Sequence, residues 1–399
     1  MTLRTSFTYV ASLVLALLAA EGILRLGGAR FSSSFYVLDA DLGWALRPNA
    51  RGDNTQEATV AIEINSAGQR DNREHSLAKP PGVYRVAILG DSFAEAFQVP
   101  VEESFPKLLE QELNGCLADR KTEVLNFAVG GYGTAQELLS YRLRARQYAP
   151  DFVVLLFYTG NDIYNNHPLL NPTNADAAPY FTLDNGALQM KPALAQPSAL
   201  REVWAATARN SQVSRMISDI YYKARRNNTA HEQQRLQTYG ENYMNRLVFS
   251  PPRDAAMQEA WTLTEAALPA VYEEIKRDTP RFLLAIASSN FQVHPEREKR
   301  EGFLQFSGAT ELFYAENRLA AIAANHQIPT AFLGPAMLAA ADGKGVFYHG
   351  FPGSIGSGHW NSTGHAFVAK ALKREICPAT QSPRDRSAPS SQPSPPSPQ

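Results

Sequence analysis

The run Phe152-Val153-Val154-Leu155-Leu156-Phe157 has no side that tolerates water. Side chains of an extended chain alternate between two faces. Both faces are apolar here, so the run predicts a parallel strand covered by helices above and below. Tyr84 to Leu89, Val124-Leu125-Asn126-Phe127, Arg281 to Ala287 and Thr330-Ala331-Phe332-Leu333 read as further strands. Between them apolar residues fall at helical spacing over Glu102 to Leu113, Gln136 to Gln147, Ala255 to Asp278, Ala309 to Asn325 and Ser362 to Ile376. Strands alternating with helices imply βαβ units, hence an α/β fold with a central parallel five-stranded sheet in three layers.

The 399 residues, 44% of them hydrophobic, suffice for one large core or two modest ones. A net charge of −1, with Lys and Arg scattered, gives no electrostatic basis for nucleic-acid binding. At the start, Phe7 to Ala20 is an apolar run of about 14 residues, nearer a signal-peptide core than the roughly 20 residues of a bilayer span. Extending it to Leu26 reaches spanning length only by enclosing Glu21. Export through a retained membrane anchor or a cleaved signal over 1–30 is expected, with a buried first helix as the other reading. Residues 31–83 form a polar arm in which Ala58 to Ile64 alternates like a half-buried edge hairpin attached to the main sheet. An insertion over about 165–253 breaks the α/β rhythm, with an Asn185-Gly186 hairpin turn and a helical stretch from Ser198 to Lys223. The Ser/Pro-rich tail, 378–399, is expected to be disordered.

Four polar clusters follow strands or precede the last helix: Gly90-Asp91-Ser92, Asn126 to Gly131, Gly160-Asn161-Asp162, and Gly358 to His365. In a parallel sheet these positions converge on the carboxyl edge, where ligands bind. Their chemistry suits acyl transfer. Ser92 needs a neutral histidine to take its proton, and His359 is the candidate base. The Ser92 and Gly131 N–H groups and the Asn161 amide are candidate donors to the tetrahedral oxyanion. Asp91 and Asp162 read as turn and cap residues, and His365 as structural. His349, Trp360 and Asn361 are divided between pocket lining and packing, while His167 and His294 fall in loops with a surface role as the default. No metal-ligand spacing occurs, and no metal or organic cofactor is implied.

In this order the four blocks resemble the SGNH, or GDSL-type, hydrolase superfamily of esterases and lipases, over about Tyr84 to Ile376. The resemblance implies a flavodoxin-like sheet and ester hydrolysis through an acyl-Ser92 intermediate, in the cell envelope or outside the cell. An acyl ester, free or on a glycan, is the implied substrate, and the N-terminal segment the implied membrane contact. The chain departs from the family where an aspartate normally precedes the base, since Gly356 and Ser357 stand there. Three readings stay open: a Ser-His dyad oriented by a backbone carbonyl, an acid from elsewhere with Asp342 the nearest upstream, or a degenerate enzyme. An O-acyltransferase acting on an envelope glycan and a non-catalytic envelope binding protein are the alternatives. In the flavodoxin-like strand order the first and last helices share one face. Cys116, just past the first, and Cys377, ending the last, are therefore expected to pair.

Overall fold

The computed structural model describes residues 3–28, 31, 35–117, 120–168, 170, 178–193, 211–217, 220 and 247–380. Five parallel strands form the central sheet: β5 (Val83–Leu89), β6 (Lys121–Asn126), β7 (Phe152–Tyr158), β10 (Phe282–Ala287) and β11 (Thr330–Phe332). They lie in the order β11-β10-β7-β5-β6, so β5, the first of them in the chain, sits between the second and the third. This is the flavodoxin-like order. In β7 the alternation is resolved residue by residue. Val153, Leu155 and Phe157 enter one core with Leu138, Trp261 and Leu319, whereas Val154, Leu156 and Tyr158 enter the other with Phe105, Leu109 and Leu372. The first core is covered by α4 (Thr134–Leu143), α6 (Ala255–Asp278) and α8 (Tyr314–Asn325). The second is covered by α3 (Phe105–Asn114), α9 (Leu333–Ala341) and α10 (Ser362–Thr380). Two short helices, α2 (Ser92–Glu95) and α5 (Asp162–Asn165), begin at the carboxyl ends of β5 and β7.

Cys116 and Cys377 form a disulfide joining α3 to α10 on that second face, with their Cα atoms 6.1 Å apart and 261 positions between them. Such a long closed loop removes chain entropy from the unfolded state, which favours folding.

The arm departs from its expected form. It holds two hairpins, β1 (Tyr36–Asp39) with β2 (Gly43–Leu46), and β3 (Arg51–Asn54) with β4 (Val60–Glu63). Neither joins the central sheet. Their apolar side chains, among them Leu42, Leu46, Val60, Ile62 and Ile64, instead pack on Phe97, Val129 and Tyr132 in the loops at the carboxyl edge. Burial there replaces strand pairing as the attachment. Arg70 completes it, since its buried guanidinium donates to the carbonyls of Glu95, Ala96 and Val99.

α1 (Leu3–Leu26) is a single helix of 24 residues, yet no helix among the described residues is long and apolar enough to cross a membrane. The spanning helix that the membrane-anchor reading of 1–30 requires is thus not found among the described residues. Within α1, Glu21 pairs with Arg25 at 2.7 Å and accepts from the backbone N–H groups of Gln212 and Val213 that open a helical segment, 212–217. The hairpin expected in the insertion is present as β8 (Tyr180–Asp184) and β9 (Ala187–Lys191). Most of Ser198 to Lys223 and the tail beyond 380 lie outside the described residues.

Besides the short α2 and α5, two longer helices differ from the sequence reading. α7 (Arg297–Ser307) follows β10, and α9 starts at Leu333, where the last strand was expected to end. Pro335 is accommodated in the first turn of α9, where a missing N–H costs nothing.

Candidate active site

Ser92 opens α2 directly after β5, and Asp91 is the cap of that helix, accepting the Phe93 N–H at 2.9 Å. The serine hydroxyl lies 2.9 Å from His359 Nε2 and 3.5 Å from Asp91 Oδ2, so the imidazole is its hydrogen-bond partner. On the other side of the ring His359 Nδ1 lies 2.6 Å from Glu57 Oε1, and the His359 backbone N–H donates to Glu57 Oε2 at 2.9 Å. A carboxylate only accepts, which places the imidazole proton on Nδ1 and leaves Nε2 unprotonated, facing the serine hydroxyl as an acceptor. The arm therefore supplies the acid that the sequence lacks before His359.

Neither residue at the usual aspartate positions reaches the ring. Ser357 Oγ donates to the Ser354 carbonyl at 3.1 Å, and the Gly356 carbonyl accepts from Asn290 at 2.9 Å. Asp342, the upstream candidate, is paired with Arg300 at 2.6 Å and plays no part. The histidine oriented by a backbone carbonyl is a different one, His349, whose Nδ1 lies 2.8 Å from the Gly358 oxygen. With that link, and a backbone bridge from His349 to Trp360, it holds the loop that presents His359.

Glu57 sits at the turn between β3 and β4 in a left-handed conformation, φ 63°. Asn54 fixes this turn by donating to the Gln56 carbonyl and, across to the sheet domain, to the Phe97 carbonyl, each at 3.1 Å. Gly358 has to be a glycine here: its φ is 79°, and a Cβ would collide with the Glu57 carboxylate. Burial alone would raise the Glu57 carboxyl, but the hydrogen bonds and charge of His359 outweigh it and the net shift is downward. It stays ionised beside the base.

The three expected oxyanion donors come from three strand ends. Ser92 follows β5, Gly131 lies in the loop after β6, and Asn161 follows β7. Among the described residues neither the Ser92 nor the Gly131 N–H meets an acceptor. The Asn161 side-chain amide donates one hydrogen to Asp91 Oδ2 at 2.9 Å. Asp91 is fully buried, and burial raises its carboxyl against the bonds from Asn161 and Phe93. It orients Asn161 and Phe93 rather than the base.

The other residues singled out by sequence are structural. Asp162 accepts the Tyr158 N–H at 2.7 Å, and His365 Nδ1 accepts the Phe105 N–H at 3.3 Å. Burial lowers His365 to about 3 and His349 to about 4, so both rings are neutral. Trp360 is fully buried against Phe93, and Asn361 accepts the Gly364 N–H in the first turn of α10. His167 is buried rather than on the surface, 3.3 Å from Glu259, and His294 is half-buried beside Phe347.

Comparison with known proteins adds no family. No protein-family model matches the chain, and no curated protein matches it. Among solved structures the chain is similar to an acetylxylan esterase of Geobacillus stearothermophilus, at 11% identity over 73% of this chain and 94% of that one, TM-score 0.38. It is also similar to another acetyl xylan esterase at 13% identity over 74% and 100%, TM-score 0.37. An alpha/beta hydrolase enzyme from the metagenome of Lake Arreo, Spain, is 11% identical over 75% and 97%, TM-score 0.39. Likeness at this level carries no weight for the chemistry, which rests on the geometry above.

Proposed function

We propose that the chain is a serine esterase of the SGNH type that hydrolyses a carboxylic ester outside the cytoplasm. The observation that carries this reading is the unbroken hydrogen-bonded line from Ser92 Oγ through His359 to Glu57, 2.9 Å on one side of the ring and 2.6 Å on the other.

Ser92 Oγ attacks the ester carbonyl carbon while His359 Nε2 takes its proton, and Glu57 stabilises the imidazolium that forms. Negative charge collects on the former carbonyl oxygen, where the Ser92 and Gly131 N–H groups and the Asn161 amide receive it. The tetrahedral intermediate collapses, the alkoxide leaves as an alcohol with the proton from His359, and the acyl group remains on Ser92. Water, deprotonated by the same nitrogen, then releases the carboxylic acid and restores the serine. Action outside the cytoplasm is supported by the Cys116–Cys377 disulfide, a bond that persists in oxidising compartments.

Hydrolysis of p-nitrophenyl acetate and butyrate by the full chain, beside Ser92→Ala and His359→Ala, tests the reading. Turnover that disappears in both variants supports it. A folded parent with no turnover, and no reaction of Ser92 with a fluorophosphonate, would contradict it.

A further inference from the structure

We propose that Trp44, in the arm, is a positioning residue that aims the Gly131 N–H at the oxyanion; this rests on the reading of Ser92 as the acyl-accepting nucleophile. The Gly130 carbonyl and the Gly131 N–H belong to one planar trans peptide unit and point in opposite directions. Whatever holds the carbonyl therefore aims the N–H. Trp44 Nε1 donates to the Gly130 oxygen at 3.0 Å, which turns the Gly131 N–H away from the indole. That N–H has no acceptor among the described residues.

The preceding peptide is held from the other side. The Gly130 N–H donates to Glu95 Oε1 at 2.9 Å, and Glu95 is itself fixed by the Tyr36 hydroxyl at 2.9 and 3.0 Å from its two oxygens. No side chain fits at 130, because a Cβ would come 2.9 Å from the Tyr36 oxygen and 3.0 Å from Glu95 Oε2. Two adjacent glycines are the easiest place in a chain to rotate a peptide plane. A rotated 130–131 plane would present a carbonyl where the reaction needs a donor. Trp44 opposes that rotation from a fixed seat: it packs edge-on against Tyr132 at 5.7 Å, and the Tyr132 hydroxyl donates to the Trp44 carbonyl at 2.6 Å. The indole position thus does not depend on its bond to Gly130. Through Glu57 and Trp44 the arm acts on the base and on the oxyanion donor alike.

Trp44→Phe retains an aromatic ring beside Tyr132 and removes the N–H. Measured on p-nitrophenyl acetate with the full chain, kcat is expected to fall roughly 10- to 100-fold with KM within about twofold, the melting temperature unchanged and the pH profile unmoved. Replacement of Trp44 by 3-benzothienylalanine, a ring of the same shape without the N–H, gives the same split if the phenylalanine variant folds poorly. A kcat within threefold of the parent in both replacements, or a loss that comes with a lowered melting temperature in both, overturns the assignment. An inactive parent overturns the esterase reading beneath it, and is distinguished because no variant is then needed.

Discussion

Ser92 and Glu57 flank one imidazole but are held there by different physics. Ser92 is fixed by the sheet: β5 is buried along almost its whole length, and the helix that starts at Ser92 is capped by a buried aspartate. Glu57 is fixed by a hairpin that shares no ladder with that sheet and depends on a small apolar cluster, Asn54 and Arg70. A strand end can be displaced only by breaking the core, whereas a docked hairpin can move while the core stays intact. The proposed nucleophile and the carboxylate behind its proposed base therefore sit on parts of the molecule expected to differ in local stability.

The difference also decides what the sequence could reveal. Strand-borne residues announce themselves, since an apolar run such as Val86 to Leu89 ending in Gly90-Asp91-Ser92 states both the element and the place where it ends. The order of the sheet, and with it the sharing of one face by Cys116 and Cys377, is implied by the resemblance of the four blocks and not by the apolar rhythm itself. Glu57 has no such signal. It stands in a polar turn, 302 positions from the histidine it serves, and Asp53 and Glu63 nearby are equally eligible by sequence. The one available hint was negative, a base whose Nδ1 needed an acceptor and whose neighbouring residues, Gly356 to Gly358, carried no carboxylate. Trp44 was hidden for the same reason, because its contact with Gly130 spans 86 positions.

The contrast can be sharpened by perturbing each part in turn. On the sheet side, Ser92→Ala removes the attacking atom and is expected to lower kcat by about 10⁶, to the residual rate of a site that only binds, as read by p-nitrophenyl ester hydrolysis. Next in size is the disulfide. Cys116→Ser is expected to cost about 2–5 kcal/mol in denaturant unfolding while kcat under native conditions stays within a fewfold, because the bond lies under the sheet-borne elements and touches neither Ser92 nor Glu57.

A smaller effect tests the junction of arm and sheet. Burial raises the Glu95 carboxyl to about 7 against an ordinary 4.5, with the bonds from Gly130 and Tyr36 opposing. Between those values the native chain keeps a proton on Glu95 that the unfolded chain releases, so the contribution of Glu95 to stability falls as pH rises through the window. His349 and His365, held neutral by burial, slope the other way between pH 4.5 and 6.5, so urea unfolding is read as the difference between Glu95→Gln and the parent, which should shift in favour of the variant as pH rises from 4.5 to 7. The smallest effect is Asp342→Asn, which breaks an ion pair with Arg300 remote from the base and should leave kcat and its pH profile unchanged in the same ester assay.

The central claim, that a hairpin outside the sheet completes the catalytic line, is tested most directly by the kcat of Glu57→Gln beside the parent on p-nitrophenyl acetate. The amide preserves the shape but offers His359 Nδ1 no charge and permits the wrong tautomer, so kcat should fall roughly 10³- to 10⁴-fold with KM and melting temperature little changed. A Glu57→Gln enzyme within threefold of the parent would show that His359 works without the arm, and would contradict the account.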